Sequence, residues 1–226
     1  MQRDDTVNIT EYAERFKQPT DAYFYDYDIY KPDGYDAFIW DIQRPVLVAL
    51  FRKLRSENDR IAYLDFACGT GRILAAVESL ADESLGVDIS EEMIAIARSK
   101  TKGSEFLVGN LLAQPDLLSC CFDVITTFRF FLNLESHLRL PALKTLVRHL
   151  RGPESTLIFN IHGNRNSARH LGILLRRLRG ERHNDMTFHQ VEELVNQAGL
   201  RIENYYGFGI IPRRLHCGFW RGWMQA

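Results

Sequence analysis

The sequence predicts an α/β domain built on a mostly parallel sheet with helices on both faces. Strand-like and helix-like segments alternate from residue 61 to residue 208, the pattern of a parallel sheet. The strand-like segments are mostly apolar, so helices must bury both of their faces. Where the first strand gives way to a helix, Gly69 and Gly71 stand one residue apart. In sheets of this kind ligands bind beyond the carboxyl ends of the strands, so that glycine pair marks the place to look.

The elements follow in order. "IAYLDF" reads as a buried strand and "GRILAAVESLA" as a helix. "SLGVDI" is a strand, and "SEEMIAIARSK" a helix with Ser90 as its N-cap and acidic residues in its first turn. "EFLVGN" is a short strand and "FDVITTF" an apolar one. "ESHLRLPALKTLVRHL" is helical at 3.6 spacing, and Pro141 places the start of its regular part there, at a first-turn position. "STLIFNI" is again a strand. "TFHQVEELVNQAGL" is a helix with Thr187 as N-cap and Gly199 near its stop. "RIENYYGF" is a strand, and the closing "IPRRLHCGFWRGWMQA" is available as a further, last strand.

Composition bounds the class. A chain of 226 residues suits one domain with a full core and an appended segment. With 46% hydrophobic and 25% charged residues it is an ordinary globular composition. A net charge of -1 gives no global argument for binding nucleic acid or a membrane surface. That balance conceals an acidic segment over residues 1–41 and an arginine-rich one over residues 163–186. Cys68, Cys120, Cys121 and Cys217 have no metal-ligand spacing, so no metal is expected and reduced thiols in a cytoplasmic protein are. The polar start "MQRDDTVNITEY" lacks the apolar core of a signal peptide, and no apolar run is long enough to span a bilayer.

At the glycine turn, backbone free to take positive φ and a helix start with free amides suit a polar ligand; a tight turn without a ligand is the plainer alternative. Asp88 ends the next strand, where a carboxylate can accept hydrogen bonds from both hydroxyls of a ribose. The dinucleotide fingerprint asks for a third glycine, and Leu74 stands there. A pyrophosphate is disfavoured and a nucleoside without phosphates fits better, which argues against a nicotinamide-dependent dehydrogenase.

"LDFACGTGR", "LGVDIS", "FLVGN", "FDVITTFRF" and "VNQAGLRIENYYGFG" resemble, in that order, the successive motifs of class I S-adenosylmethionine-dependent methyltransferases, over about residues 60–211. The resemblance implies a Rossmann-like, doubly wound sheet of seven strands with the last one antiparallel. It implies S-adenosylmethionine as cofactor, its methionine part held by Asp65 and the backbone of Gly69 and Gly71. Asp88 would hold the ribose, and Asn110 would lie beside the adenine with Leu111 as apolar packing. Ala67, Ile89 and Thr127 complete the implied cofactor site. Many relatives carry Asp where this chain has Asn110, whose amide still exchanges hydrogen bonds with adenine; a turn role for Asn110 is equally open.

For the methyl acceptor two residues stand at strand ends. Arg129 in "TTFRFFLN" suits holding a carboxylate or phosphate, the alternative being a salt bridge to the acidic N-terminal segment. His162 in "FNIHGN" titrates near neutral pH and suits a general base towards a hydroxyl, the alternative being a structural histidine. No Asn-Pro-Pro-Tyr sequence marks an enzyme acting on planar nitrogens, and no basic stripe with interleaved aromatics marks a nucleic-acid groove. The Tyr- and Asp-rich segment before residue 59, with Tyr25, Tyr27 and Tyr35, is expected to close over the site, and Phe128 to line it. The insert "SARHLGILLRRLRGER" reads as a basic amphipathic helix.

The expected organisation is an N-terminal helical or lid segment at 1–59 and a methyltransferase domain at 60–226, with a basic helical insert at about 163–186. The expected activity is methyl transfer to a small or lipid-like metabolite at an oxygen, by a monomer or homodimer. A cofactor-holding module without turnover and an RNA methyltransferase are the alternatives. The abrupt C-terminus leaves truncation open.

Overall fold

The computed structural model describes residues 31, 34–161 and 186–208. Its strands are β1 (Ala62–Phe66), β2 (Glu83–Asp88), β3 (Glu105–Val108), β4 (Val124–Thr127) and β5 (Thr156–Phe159). They lie in the order β3-β2-β1-β4-β5, with every pairing parallel. The strand order reverses between β1 and β4, so connections leave these neighbours in opposite directions and open a crevice at their carboxyl ends.

Among the described residues five α-helices flank the sheet: α1 (Tyr35–Glu57), α2 (Arg72–Val77), α3 (Glu91–Lys100), α4 (Ser136–Arg148) and α5 (Phe188–Gln197). Side chains along β1 alternate between two cores. Tyr63 packs with Leu47 and Phe51 of α1, Leu74 and Val77 of α2 and Ile94 of α3. Ala62, Leu64 and Phe66 pack with Leu143 and Leu146 of α4 and Val191 and Leu194 of α5. Phe51 meets Tyr63 edge-on with ring centroids 5.0 Å apart, a geometry worth about 0.5–1.5 kcal/mol beyond the area it buries.

Several local signals act as the sequence predicts. The Ser90 hydroxyl accepts the Met93 amide at 3.2 Å and caps α3. Thr187 and Gln190 form a reciprocal capping box at the start of α5. Gly199, at φ 79°, follows its end.

Three expectations are corrected. The helix after Gly71 is shorter, because Glu78–Leu80 tighten into a 3-10 turn, from which the Glu78 carboxylate accepts the Lys102 amide at 3.0 Å. α4 begins at Ser136, not at Pro141. The proline ring there removes one amide donor, and the Pro141 carbonyl still accepts the Thr145 hydroxyl at 3.1 Å. Residues 201–208 form no strand. Among the described residues the sheet therefore has five strands rather than seven, none antiparallel. A strand exists by its pairing, and no described segment pairs with this stretch, where Tyr205 is 76% exposed. The segment expected to supply the last strand lies outside the described residues. No described helix is long and apolar enough to cross a membrane.

Candidate functional site

The end of β1 opens into a recess whose lining includes Asp65, Ala67, Gly69, Thr70, Arg72 and Phe128. The turn that forms it is held in left-handed backbone at Ala67 (φ 55°), Gly69 (φ 53°) and Gly71 (φ 74°). For Ala67 this costs roughly 1–2 kcal/mol, and a strained non-glycine residue persists only where its surroundings fix it. Here the Cys68 amide donates to the Val87 carbonyl at 3.1 Å, and the Gly71 amide to the Cys68 carbonyl at 3.0 Å. The two glycines do different work. A Cβ at Gly71 would lie 2.8 Å from the Cβ of Ala97, so Gly71 allows α3 to approach. Gly69 is the glycine that lines the recess.

Asp65 forms part of the recess wall although it is only 1% exposed. It faces Thr126 across the β1–β4 register. The Thr126 hydroxyl donates to Asp65 Oδ1 at 2.6 Å, and the Tyr63 hydroxyl lies 2.6 Å from the same Thr126 oxygen. Asp65 Oδ2 is buried with no hydrogen-bond partner. Burial is the main influence on this carboxyl and, with the nearby Asp88 charge, lifts its pKa to about 7. The Thr126 hydroxyl, the Arg72 guanidinium and the Leu74 amide pull the other way.

Asp88, at the end of β2, ties the turn to the sheet. Its Oδ2 accepts the Gly69 amide at 2.8 Å, and its Oδ1 accepts the Ser90 amide at 3.0 Å. Burial raises its pKa, opposed by the Ser90, Gly69 and Ile89 amides. Each carboxylate oxygen retains acceptor capacity for a further donor. The Cys68 thiol is buried and its pKa is raised chiefly by that burial, so it stays protonated.

Arg129, just past β4, also has left-handed backbone, at φ 64°. Its amide donates to Asn160 Oδ1 at 2.6 Å, and its carbonyl accepts from Asn133 Nδ2 at 2.5 Å. Its guanidinium pairs with Asp36 on α1 at 3.0 Å. The salt bridge weighed as an alternative for Arg129 is therefore present. One helical turn beyond Asp36, the Trp40 ring carries the Arg72 guanidinium at 4.2 Å from its centroid. By these two contacts α1 reaches both the α2 side and the β4 side of the recess.

The remaining expected residues divide. Phe128 lines the recess, while Tyr35 sits half-buried at the first position of α1. Asn110 acts as a turn residue: its Oδ1 accepts the Leu112 and Ala113 amides at 3.1 and 3.2 Å. Leu111 is fully buried in the core, and Ile89 is half-buried after β2. Thr127 is fully buried, and strand alternation puts it on the face opposite Thr126, away from Asp65. His162, Tyr25, Tyr27 and the basic insert up to residue 185 lie outside the described residues. Tyr63, Thr126, Asn133 and Asn160 escaped the sequence reading, and Asp36 entered it only as part of the acidic segment weighed as a partner for Arg129. Only Tyr63 left a signal there, as a polar side chain two residues before Asp65 on the same strand face. Among the described residues no group of acidic, Cys and His side chains has the geometry of a metal site.

Residues 64–152 match the family model described as a methyltransferase domain. The chain is 31% identical over 115 residues to the "Putative methyltransferase YqeM" of Bacillus subtilis (strain 168), covering 47% of this chain and 43% of that protein. The match thus spans less than half the length of this relative. Among solved structures, the magnesium protoporphyrin IX methyltransferase of Synechocystis PCC 6803 with bound SAH superposes with a TM-score of 0.67 at 14% identity, covering 88% of this chain and 92% of that one. A DhpI-SAM-HEP complex superposes with a TM-score of 0.52 at 20% identity, covering 69% and 66%. At these identities the likeness establishes the fold, an α/β Rossmann-like sheet. Residues 64–152 are similar to a methyltransferase domain.

Proposed function

We propose that the protein transfers the methyl group of S-adenosylmethionine to a small or lipid-like metabolite, at an oxygen. The observation that carries the cofactor part is the recess beside β1, where a buried carboxylate oxygen without a partner stands next to a strained, amide-rich turn. A cationic ammonium matches that oxygen, and a carboxylate matches the helix-start amides of α2. Asp88 would hold the ribose while keeping Gly69 in place. Asn110 keeps its Nδ2 as a donor for adenine while its oxygen serves the turn.

When bound, the cofactor supplies an electrophilic methyl group on a sulfonium, and the bonding pair stays on sulfur as the acceptor's lone pair attacks. The protein's share is alignment and exclusion of water, levers worth several kcal/mol. Phe128 gives an apolar wall at the β4 end, α1 brings Trp40 near it, and Tyr35 on α1 is a proposed contact for the acceptor. His162 is the proposed base for the acceptor hydroxyl proton, and Arg129 the proposed anchor for an anionic group on the acceptor. The segment before residue 59 is the proposed cover, with Tyr25 and Tyr27.

The test has two stages. Calorimetry with S-adenosylhomocysteine is expected to show one site per chain, and absence of any heat would reject the cofactor assignment. Turnover of S-adenosylmethionine against a panel of hydroxyl, carboxyl and amine metabolites is then expected to favour an oxygen acceptor. Binding without turnover on any member would favour a holding module instead.

A further inference from the structure

The geometry points to Tyr63 and Thr126 as positioning residues: their hydroxyls form a one-way donor chain that commits Asp65 Oδ1, leaves Oδ2 as the acceptor for the ligand's ammonium, and couples cofactor uptake to release of a proton. The inference rests on the cofactor reading above and adds to it the state and orientation of the group that makes the contact.

The direction of the chain follows from counting hydrogens. A threonine hydroxyl has one proton to donate, and that of Thr126 goes to Asp65 Oδ1 at 2.6 Å. The Tyr63 hydroxyl, 2.6 Å from the Thr126 oxygen, must then donate to it. Tyr63 is wholly buried, and burial together with the Asp65 charge holds its phenol protonated. The reverse order would put a proton on Oδ1, turn the Thr126 hydroxyl towards Tyr63, and leave the Tyr63 proton without an acceptor in the core. That is a costly arrangement for a buried donor. A proton on Oδ2 also lacks a protein acceptor, but the forward order keeps both hydroxyl bonds in place as that proton comes and goes, so the proton is assigned to Oδ2.

The consequence is a two-state acceptor. With its proton, Oδ2 is a donor and opposes an ammonium. Without it, Oδ2 is a buried anion with no partner, which an ammonium satisfies. The groups facing this carboxyl come from every neighbouring element. Thr126 on β4 and the Arg72 guanidinium and Leu74 amide on α2 favour the anion, while Asp88 on β2 opposes it. Tyr63 on β1 and Cys68 in the turn stay neutral. With a carboxyl titrating near 7, the bound ligand holds the anionic form and the proton leaves to solvent.

The experiment is calorimetry of S-adenosylhomocysteine with the full chain from pH 5.5 to 8.5, in pairs of buffers of different ionisation enthalpy. The wild type is expected to release close to one proton per site near pH 6 and none near pH 8.5. Its affinity should rise about tenfold between pH 6 and pH 8. Thr126→Val should move the midpoint of that rise upward by about one pH unit and restore near-normal affinity at the alkaline end. Thr126→Ser should return the midpoint to the wild-type position. Tyr63→Phe, a second and gentler variant, should move it upward by less. Binding by the wild type with neither proton release nor pH-dependent affinity would overturn the inference. So would a Thr126→Val loss equal at every pH, the mark of a purely structural role. Failure of the wild type to bind at any pH would instead reject the cofactor reading itself.

Discussion

In the ligand-free protein, Asp65→Asn should stabilise the fold at pH 8 and leave it nearly unchanged at pH 4. The magnitude follows from the site. The Asp65 carboxyl is 1% exposed, and its pKa stands at about 7 against an ordinary 3.8. Between those two values the folded chain keeps a proton that the unfolded chain has lost. Unfolding then releases a proton, so stability falls as pH rises through this window and levels off above it. At 1.36 kcal/mol per unit, the loss is on the order of 4 kcal/mol. Asparagine removes the titration but keeps an oxygen for the Thr126 hydroxyl. Urea unfolding of both proteins at pH 4, 6 and 8 measures the gap directly. It should widen steadily to several kcal/mol in favour of Asp65→Asn, a shift in melting temperature of roughly 10 °C for a chain of this size. A gap that stays within about 1 kcal/mol from pH 4 to pH 8 would refute the reasoning. Asp65 would then be ionised or neutral alike in both states, and its buried oxygen would carry no stored cost.

Three further outcomes are expected. Asp88→Ala should weaken S-adenosylhomocysteine binding at least tenfold in calorimetry, because it removes the proposed ribose acceptor and frees the Gly69 amide now held at 2.8 Å; affinity within threefold of wild type would contradict it. Gly71→Ala should cost about 2 kcal/mol or more in urea unfolding, since its Cβ would meet Ala97 at 2.8 Å in backbone already at φ +74°. Arg129→Gly should be more stable than Arg129→Ala by about 1 kcal/mol, because both lose the Asp36 pair and only glycine relaxes the left-handed backbone.

What was legible in the sequence is what local physics fixes. Apolar β-branched runs bounded by caps reported β1, β2 and β4, and Ser90, Thr187 and Gly199 reported the helix ends they form. The turn after β1 was legible because glycines and a strand-end acid need no knowledge of distant chain. Partnership across the sheet was not. That Asp65 faces Thr126 depends on the β1–β4 register, between residues 61 positions apart. That Gly71 makes room for α3 depends on where Ala97 arrives. Asn110 illustrates the same limit at short range: one amide suits both an adenine edge and a turn, and only the structure shows its oxygen bonded to the Leu112 and Ala113 amides.

The two strained non-glycine residues give the site its physical logic. Ala67 and Arg129 follow β1 and β4, the neighbours between which the strand order reverses. Left to itself each would relax out of the left-handed region, releasing on the order of 1–2 kcal/mol. Neighbours prevent this at both places: the bond from Cys68 to Val87 and the Asp88 carboxylate on one side, Asn133 and Asn160 on the other. Asp65 adds a third unfavourable element, a carboxyl oxygen buried without a partner. Three costs within one crevice are hard to explain as folding requirements, since an alanine-filled, fully bonded strand end would be more stable. They are explained together if the crevice is built for a ligand that contributes what is missing, a cation for Asp65 Oδ2. If so, saturating S-adenosylhomocysteine should raise the melting temperature of the wild type more than that of Asp65→Asn. Equal shifts in the two proteins would separate the buried carboxylate from ligand binding.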